Sequence, residues 1–101
     1  MPNTPATSDI PRLVTHPRET YLRQNEAKLR SQALPLRADP QIALHLHAID
    51  MAEDLFDIHE VAGAKMETQG RHAWATIHAR HTAAAFQLRL YHLDKLAHLL
   101  V

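Results

Sequence analysis

The sequence predicts an all-α protein: a helical hairpin of two long antiparallel helices with a short N-terminal helix, dimerising into a helical bundle. From Gln41 onward the apolar residues follow the helical period of about 3.6 residues, not the alternation of a strand. Pro35, Pro40 and Gly70 interrupt this pattern where one helix would end and the next begin. A chain of 101 residues that is 46% hydrophobic suits one globular domain.

The N-terminal segment differs in composition from the rest of the chain. Four of the six prolines lie within residues 1–17, together with Thr, Ser and Asn, so this stretch carries too little apolar surface to order itself. We therefore expect residues 1–16 to be a flexible arm and residues 17–101 to be a single all-α domain. The arm lacks the apolar run of a signal peptide, and no later stretch approaches the roughly 18 apolar residues of a membrane span. With no cysteine in the chain, a cytoplasmic location is expected.

The first two predicted helices cover about residues 18–33 and 40–67. Pro17 can occupy the first turn of the first helix, whose sequence RETYLRQNEAKLRSQAL holds many helix formers but few apolar residues. We therefore expect a short helix that docks loosely. Asp39 followed by Pro40 is a favourable N-cap and first-turn pair for the second helix. The stretch TQG at 68–70 is the predicted turn, because Gly70 can adopt a positive φ.

The second predicted helix has one acidic side and one broad apolar side. At about 100° per residue, Asp50, Glu53, Asp54 and Asp57 share one sector with His47. The opposite half is apolar, which predicts contacts with more than one neighbouring helix. Residues 39–67 form an acidic block of seven Asp/Glu and one Lys between two net basic blocks. Opposite charges that attract within one fold explain these blocks, and an acidic surface for a basic partner is the alternative.

The third predicted helix, about residues 71–100, is apolar on nearly every side. Its apolar residues form two seams: Trp74, His78, His81, Ala85, Leu88, His92 and Leu99 in one, and Ala75, Ala79, Phe86, Leu93 and Leu100 in the other. A lone hairpin cannot cover both seams, and pairing with a second copy is the simplest way to bury the second. We therefore expect a homodimer. The predicted dimer or partner interface consists of Phe56, Trp74, His81, Phe86, Leu88, Tyr91 and Leu93.

Four of the nine histidines fall inside the apolar sectors of the two long helices. If the hairpin turns near Gln69, residues that face each other have numbers that sum to about 137, as do His45 with His92 and His59 with His78. Hydrogen-bonded histidine pairs inside a bundle explain this placement. The alternative is a His-rich metal-binding helical bundle with these four residues as ligands, although the Glu-x-x-His signature of bundle metal sites does not occur.

No sequence feature indicates catalysis or a cofactor. Gly63 and Gly70 are the only glycines, which excludes a phosphate-binding glycine loop, and Ser8 and Ser31 stand in no nucleophile motif. The zero formal net charge and the few aromatic residues argue against direct nucleic-acid binding. We therefore expect a protein–protein interaction module and not an enzyme.

The segments IALHLHAIDMAEDLF and RHAWATIHARHTAAAFQLRLYHLDKLAHLL, separated by a polar turn, resemble the small two-helix antiactivators of LuxR-type quorum-sensing regulators, the TraM and QslA kind. The resemblance covers residues 39–101 and consists of length, helix order, turn position and an apolar C-terminal helix. It implies a dimeric all-α protein that binds a transcriptional activator and blocks its binding to DNA. It assigns no role to a numbered residue.

Overall fold

The computed structural model describes residues 13–101, which form three α-helices and one short 3-10 helix. Helix α1 is His16–Ala33, α2 is Pro40–Thr68 and α3 is His72–Leu99, with the 3-10 helix Leu34–Leu36 between α1 and α2. No strand occurs in this range, so the predicted all-α class is confirmed. The predicted helix ranges differ from the observed ones by at most two residues at either end. No helix within residues 13–101 has the length and apolar character needed to cross a membrane.

Most of the predicted flexible arm, residues 1–12, lies outside the described residues. The part that is described reaches the folded region, since Val14 is buried and the Leu13 N–H donates to Gln87 Oε1 of α3 at 3.3 Å. Helix α1 begins at His16 with Pro17 in its first turn, where the missing proline N–H breaks no helical hydrogen bond. The predicted domain begins at residue 17. The residues that contact the folded region begin further upstream, at Leu13 and Val14.

Local sequence signals set both ends of α2. At its start, Asp39 Oδ1 accepts hydrogen bonds from the backbone N–H groups of Gln41 at 2.8 Å and Ile42 at 3.4 Å, which satisfies donors that have no partner within the helix. At its end, Gly70 has a φ of 73° and the Arg71 N–H donates to the Met66 carbonyl at 2.8 Å. This pattern is a Schellman cap. It ends α2 and reverses the chain into α3 within three residues.

Helix α1 packs across α2 and α3 and completes the hydrophobic core. All three helices contribute to the core cluster, which contains Leu22, Leu29 and Ala33 of α1, Ile42 and Ile49 of α2, and Leu90, Leu93 and Leu96 of α3. The expectation of a loosely docked first helix is wrong, because Leu22 is fully buried. Leu22 and Leu29 are seven residues apart and so lie on one side of α1. These two leucines, together with Ala33, pack α1 against the core.

Helix α1 covers the C-terminal part of one of the two apolar seams predicted for α3. Leu93 of that seam is fully buried, and Phe86 and Leu100 pack against the same core cluster. Ala79 of the same seam, nearer the turn, is exposed. In the other seam Ala85 is buried against α2, while Trp74, His81, Leu88 and Leu99 are exposed.

Ion pairs tie α1 to both long helices. The Arg89 guanidinium of α3 donates to both carboxylate oxygens of Glu26, with Nη2 2.7 Å from Oε1 and 2.8 Å from Oε2. Arg30 of α1 pairs with Asp50 of α2. The Glu26 and Arg89 side chains are mostly buried, which strengthens their attraction relative to a pair in open water. Glu26 and Arg89 both lie in net basic blocks, whereas Arg30 with Asp50 and Arg89 with Glu53 join the basic blocks to the acidic one, as the first explanation of the charge blocks expects.

Removal of side-chain atoms from the centre of this core should destabilise the chain. Leu93→Ala should lower the free energy of unfolding by about 2–5 kcal/mol, because it loses apolar burial and leaves a cavity. Chemical denaturation followed by far-UV circular dichroism measures the change. Leu34→Ala is the matched control, since Leu34 is 54% exposed. Equal losses in the two variants would contradict the core described here.

Candidate functional site

Two pairs of histidines lie at the centre of the interface between α2 and α3. His45 Nδ1 of α2 lies 2.9 Å from His92 Nδ1 of α3, and His59 Nδ1 of α2 lies 2.9 Å from His78 Nδ1 of α3. All four residues are half-buried. The predicted pairing of these histidines across the two helices is therefore confirmed.

Small residues bring α2 and α3 close together near these pairs. Ala52 and Ala85 are buried and stand midway between the two histidine pairs, seven residues from each along their helices. Nearer the turn, a Cβ added to Gly63 would lie 3.2 Å from the Cβ of His78. Glycine is a poor helix former, so its presence inside α2 is explained by this close approach. The approach holds His78 within reach of His59.

Each histidine pair constrains the protons on its two bonded nitrogens. One Nδ1 must carry a proton and donate it, while the other Nδ1 accepts. A neutral pair meets this requirement with two different tautomers, and a pair with one added proton meets it with an imidazolium as the donor. A second added proton removes the acceptor and places two positive charges side by side. Each pair therefore takes up one proton at most before its hydrogen bond breaks.

Burial and neighbouring rings lower the pKa of one histidine in each pair. The pKa of His59 lies below the ordinary 6.5, chiefly because burial disfavours the charged ring, and then because of the charges on His81 and His78. The pKa of His92 is also lowered, first by burial and then by the charge on His45. Both rings therefore favour the neutral form at neutral pH.

A fifth histidine, His81, connects the His59–His78 pair to the protein surface. The His81 ring stacks on the His59 ring, with the centroids 4.7 Å apart and the planes 23° from parallel. His81 is itself exposed. A surface hollow between the two long helices is lined by Leu55, His59, His81, Ala84, Ala85 and Leu88. His59 is therefore the floor of this hollow and His81 part of its rim.

The hollow is the centre of an exposed apolar face of α2 and α3, which we call the open face. It consists of Leu44, Met51, Leu55 and Ile58 from α2 and of Trp74, Ile77, His81, Ala84, Leu88 and Tyr91 from α3. Successive members on each helix are three, four or seven residues apart, which is the spacing of a seam that packs against another helix. Leu44 and Ile58 are 59% and 60% exposed. Exposed apolar patches of this kind are common at protein interaction surfaces.

The open face and α1 lie on different sides of the long helices. At about 100° per residue, Leu55 points about 120° away from Ile49, the α2 residue in the core cluster with α1. By the same measure, Leu88 points about 140° away from Leu93 on α3. Helix α1 therefore seals one side of the two long helices and leaves the opposite side to solvent.

The predicted interface residues divide into two groups. Trp74, His81, Leu88 and Tyr91 lie on the open face, and their contact with a second chain stays a prediction. The other three lie on the side that α1 covers: Phe56, Phe86 and Leu93. Phe56 and Phe86 lie against each other with ring centroids 6.5 Å apart, and Leu93 is fully buried. Leu93 is thus a core residue and not an interface residue, because α1 packs over it.

The predicted interface contains four of the ten residues of the open face and omits the other six. Leu44, Met51, Leu55 and Ile58 belong to the apolar half predicted for the second helix but not to the predicted interface, and Ile77 and Ala84 belong to neither predicted seam of the third. The three-and-four spacing that joins them was present in the sequence. The sequence did not indicate which apolar sector α1 would cover, and that choice decides which residues are exposed.

The histidine pairs do not combine into a metal-binding group. Within residues 13–101 no three His, Asp or Glu side chains converge on a position where they could hold a metal ion. A catalytic zinc site takes three protein ligands and a structural one takes four. Within each pair, the two Nδ1 atoms are also hydrogen-bonded to each other. The Nδ1 lone pair that could bind a metal ion is therefore already used. The geometry therefore fits paired structural histidines.

Comparisons with protein-family models, with curated proteins and with solved structures found no match for this chain. The functional argument consequently rests on the geometry of the open face and of the histidines beneath it.

The lowered histidine pKa values make the stability of the protein depend on pH. Between the lowered pKa values of His59 and His92 and the ordinary 6.5, the unfolded chain binds more protons than the folded one, so stability rises with pH through this window and levels off above it. Thermal unfolding midpoints measured from pH 5 to 7.5 should therefore increase. His16→Gln should leave the slope unchanged, because His16 is exposed at the start of α1. Midpoints that stay flat would contradict the lowered values.

Proposed function

We propose that this protein is a small all-α interaction module that forms a homodimer through its open face and acts as a negative regulator. Its partner in this proposal is a transcriptional activator, which it binds and keeps from DNA. The observation that carries the proposal is the open face itself, a two-helix apolar surface with regular spacing that the chain leaves uncovered. Exposure of such a surface to water is unfavourable, and a helical protein surface would bury it.

Two properties of the open face suit a second copy of the chain. Two such faces, each made of antiparallel α2 and α3, would stack into a four-helix bundle with a shared apolar core. Asp50, Glu53 and Arg89 are paired within the chain, and the other charges of the acidic α2 region and of the net basic α3 region also complement each other. A two-fold arrangement that lays α2 of one copy beside α3 of the other brings these opposite charges together twice.

Other features suit a second protein as partner. Trp74 and Tyr91 are exposed near opposite ends of the open face on α3 and would be buried by the second copy, so the activator would bind a different surface of the dimer. Asp54 and Asp57 are exposed on the side of α2 away from α3. Their charges would attract a basic surface such as the one with which a regulator contacts DNA phosphates. The resemblance to antiactivators of LuxR-type regulators is the reason for naming this class of partner.

A charge placed in the open face should prevent the proposed dimer. Light scattering at micromolar concentration should report a dimer for the wild type and a folded monomer for Leu88→Asp, because an unpaired carboxylate in an apolar interface disfavours association. Leu36→Asp is the control, since Leu36 is 50% exposed in the 3-10 helix, and it should stay dimeric. A stable, monodisperse wild-type monomer would rule out self-association through this face.

The regulatory part of the proposal requires direct binding to an activator. The purified protein should co-elute with a LuxR-type activator from the same cell and reduce the activator's promoter binding in a gel-shift assay, without shifting the DNA by itself. Asp54→Asn together with Asp57→Asn should weaken this effect more than it weakens the dimer, because the two carboxylates are exposed on the side of α2 away from α3. Retardation of DNA by the protein alone would contradict this function.

A further inference from the structure

His81 places a proton-binding group on the open face and in contact with the buried histidines. Its ring stacks on His59 at 4.7 Å, and His59 is bonded in turn to His78 through Nδ1. The hollow that His59 and His81 share is otherwise lined by Leu55, Ala84, Ala85 and Leu88. A second chain on the open face would therefore cover His81 and close the hollow over His59.

We propose that association of two copies through the open face is controlled by protons, with His81 and the His59 ring beneath it required to be neutral for the face to close. This inference rests on the homodimer proposed above. It adds that the dimer is the form present at neutral pH and that acidification releases the open face.

The charged groups around this site do not favour a protonated His81. As far as the described residues show, the lining of the hollow holds no acidic side chain. From α3 the facing titratable group is His78, and Glu60 of α2 lines a separate hollow with His59. The ion pairs of α1 end at other residues of the long helices: Asp50, Glu53, Arg89 and Asp94. Lys95 lies over Tyr91, further along α3.

When a second copy covers the open face, the stacked rings of His81 and His59 favour the neutral form more strongly. While the face is open, water solvates an imidazolium at His81 and a protonated ring costs little. When a second copy covers it, the same charge would be buried among aliphatic side chains without a counter-ion. Protonation of both stacked rings would also place two positive charges in contact. The dimer therefore binds fewer protons than two separate chains, and a fall in pH shifts the equilibrium toward the separate chains.

The size of the effect follows from the number of histidines that must be neutral. The dimer contains two copies of His81, one from each chain. If one group must be neutral for association, the dissociation constant rises by at most about tenfold for each pH unit over which that group takes up its proton. With two such groups the rise is at most about 100-fold for each pH unit.

Sedimentation equilibrium at pH 7.5, 6.5 and 5.5 tests this inference on the full chain, with far-UV circular dichroism used to select the pH values at which the helices are intact. The wild-type dissociation constant should rise by about 10- to 100-fold as the pH falls. His81→Leu, which keeps an apolar group on the face but cannot take up a proton, should show a change at least about tenfold smaller. His16→Gln, on α1, should respond like the wild type.

The possible outcomes separate this inference from the proposed dimer. A dimer whose dissociation constant does not change with pH would overturn the proton control alone. The same holds if His81→Leu responds to pH as strongly as the wild type, or if the dimer weakens only where the helices unfold. A wild-type monomer at pH 7.5 would overturn the dimer itself and the proton control with it.

Discussion

The interface between α2 and α3 is the contact on which the remaining structure depends. Its central positions repeat every seven residues, with a histidine pair, an alanine pair and a second histidine pair in sequence along the two helices. The alanines allow a close approach, and the histidines satisfy each other's polar atoms in a place where an unpaired nitrogen would be unfavourable. Because each ring requires a ring opposite it, a shift of one helix along the other would break both pairs, so these pairs fix the register.

Register in turn decides what each remaining side of the two helices can do. With α2 and α3 aligned, Ile42 and Ile49 of α2 share a surface with Leu90 and Leu93 of α3. Leu22 and Leu29 of α1 pack on this surface. The Glu26–Arg89 contact then gives α1 one orientation, since the bidentate geometry restricts both side chains. The opposite surface has equally regular apolar spacing but no fourth helix to cover it within the described chain. It is therefore exposed along the described chain, and the proposed association uses it.

His59 contacts both the α2–α3 interface and the open face. This ring is bonded to His78 inside the interface and stacked on His81 at the surface, and its pKa is lowered because burial and both neighbours disfavour a positive charge. An aliphatic residue at His59 would pack without this dependence on protons, and replacement of buried polar pairs by apolar ones is often neutral or stabilising. The histidine pairs are consequently better explained by the register that they fix than by stability.

The sequence by itself determined the class of fold, the ends of the helices and the pairing of the histidines. These features depend on local signals, such as Asp39 before Pro40 and Gly70 after α2, and on a periodicity that a straight helix preserves over many residues. Only the tertiary structure decided that Leu93 is core while Leu88 is surface. Both are leucines on apolar seams of α3, and they differ only in whether α1 packs over them. That choice is made by contacts between residues far apart in the chain, because the apolar pattern of one helix does not specify which neighbour covers it.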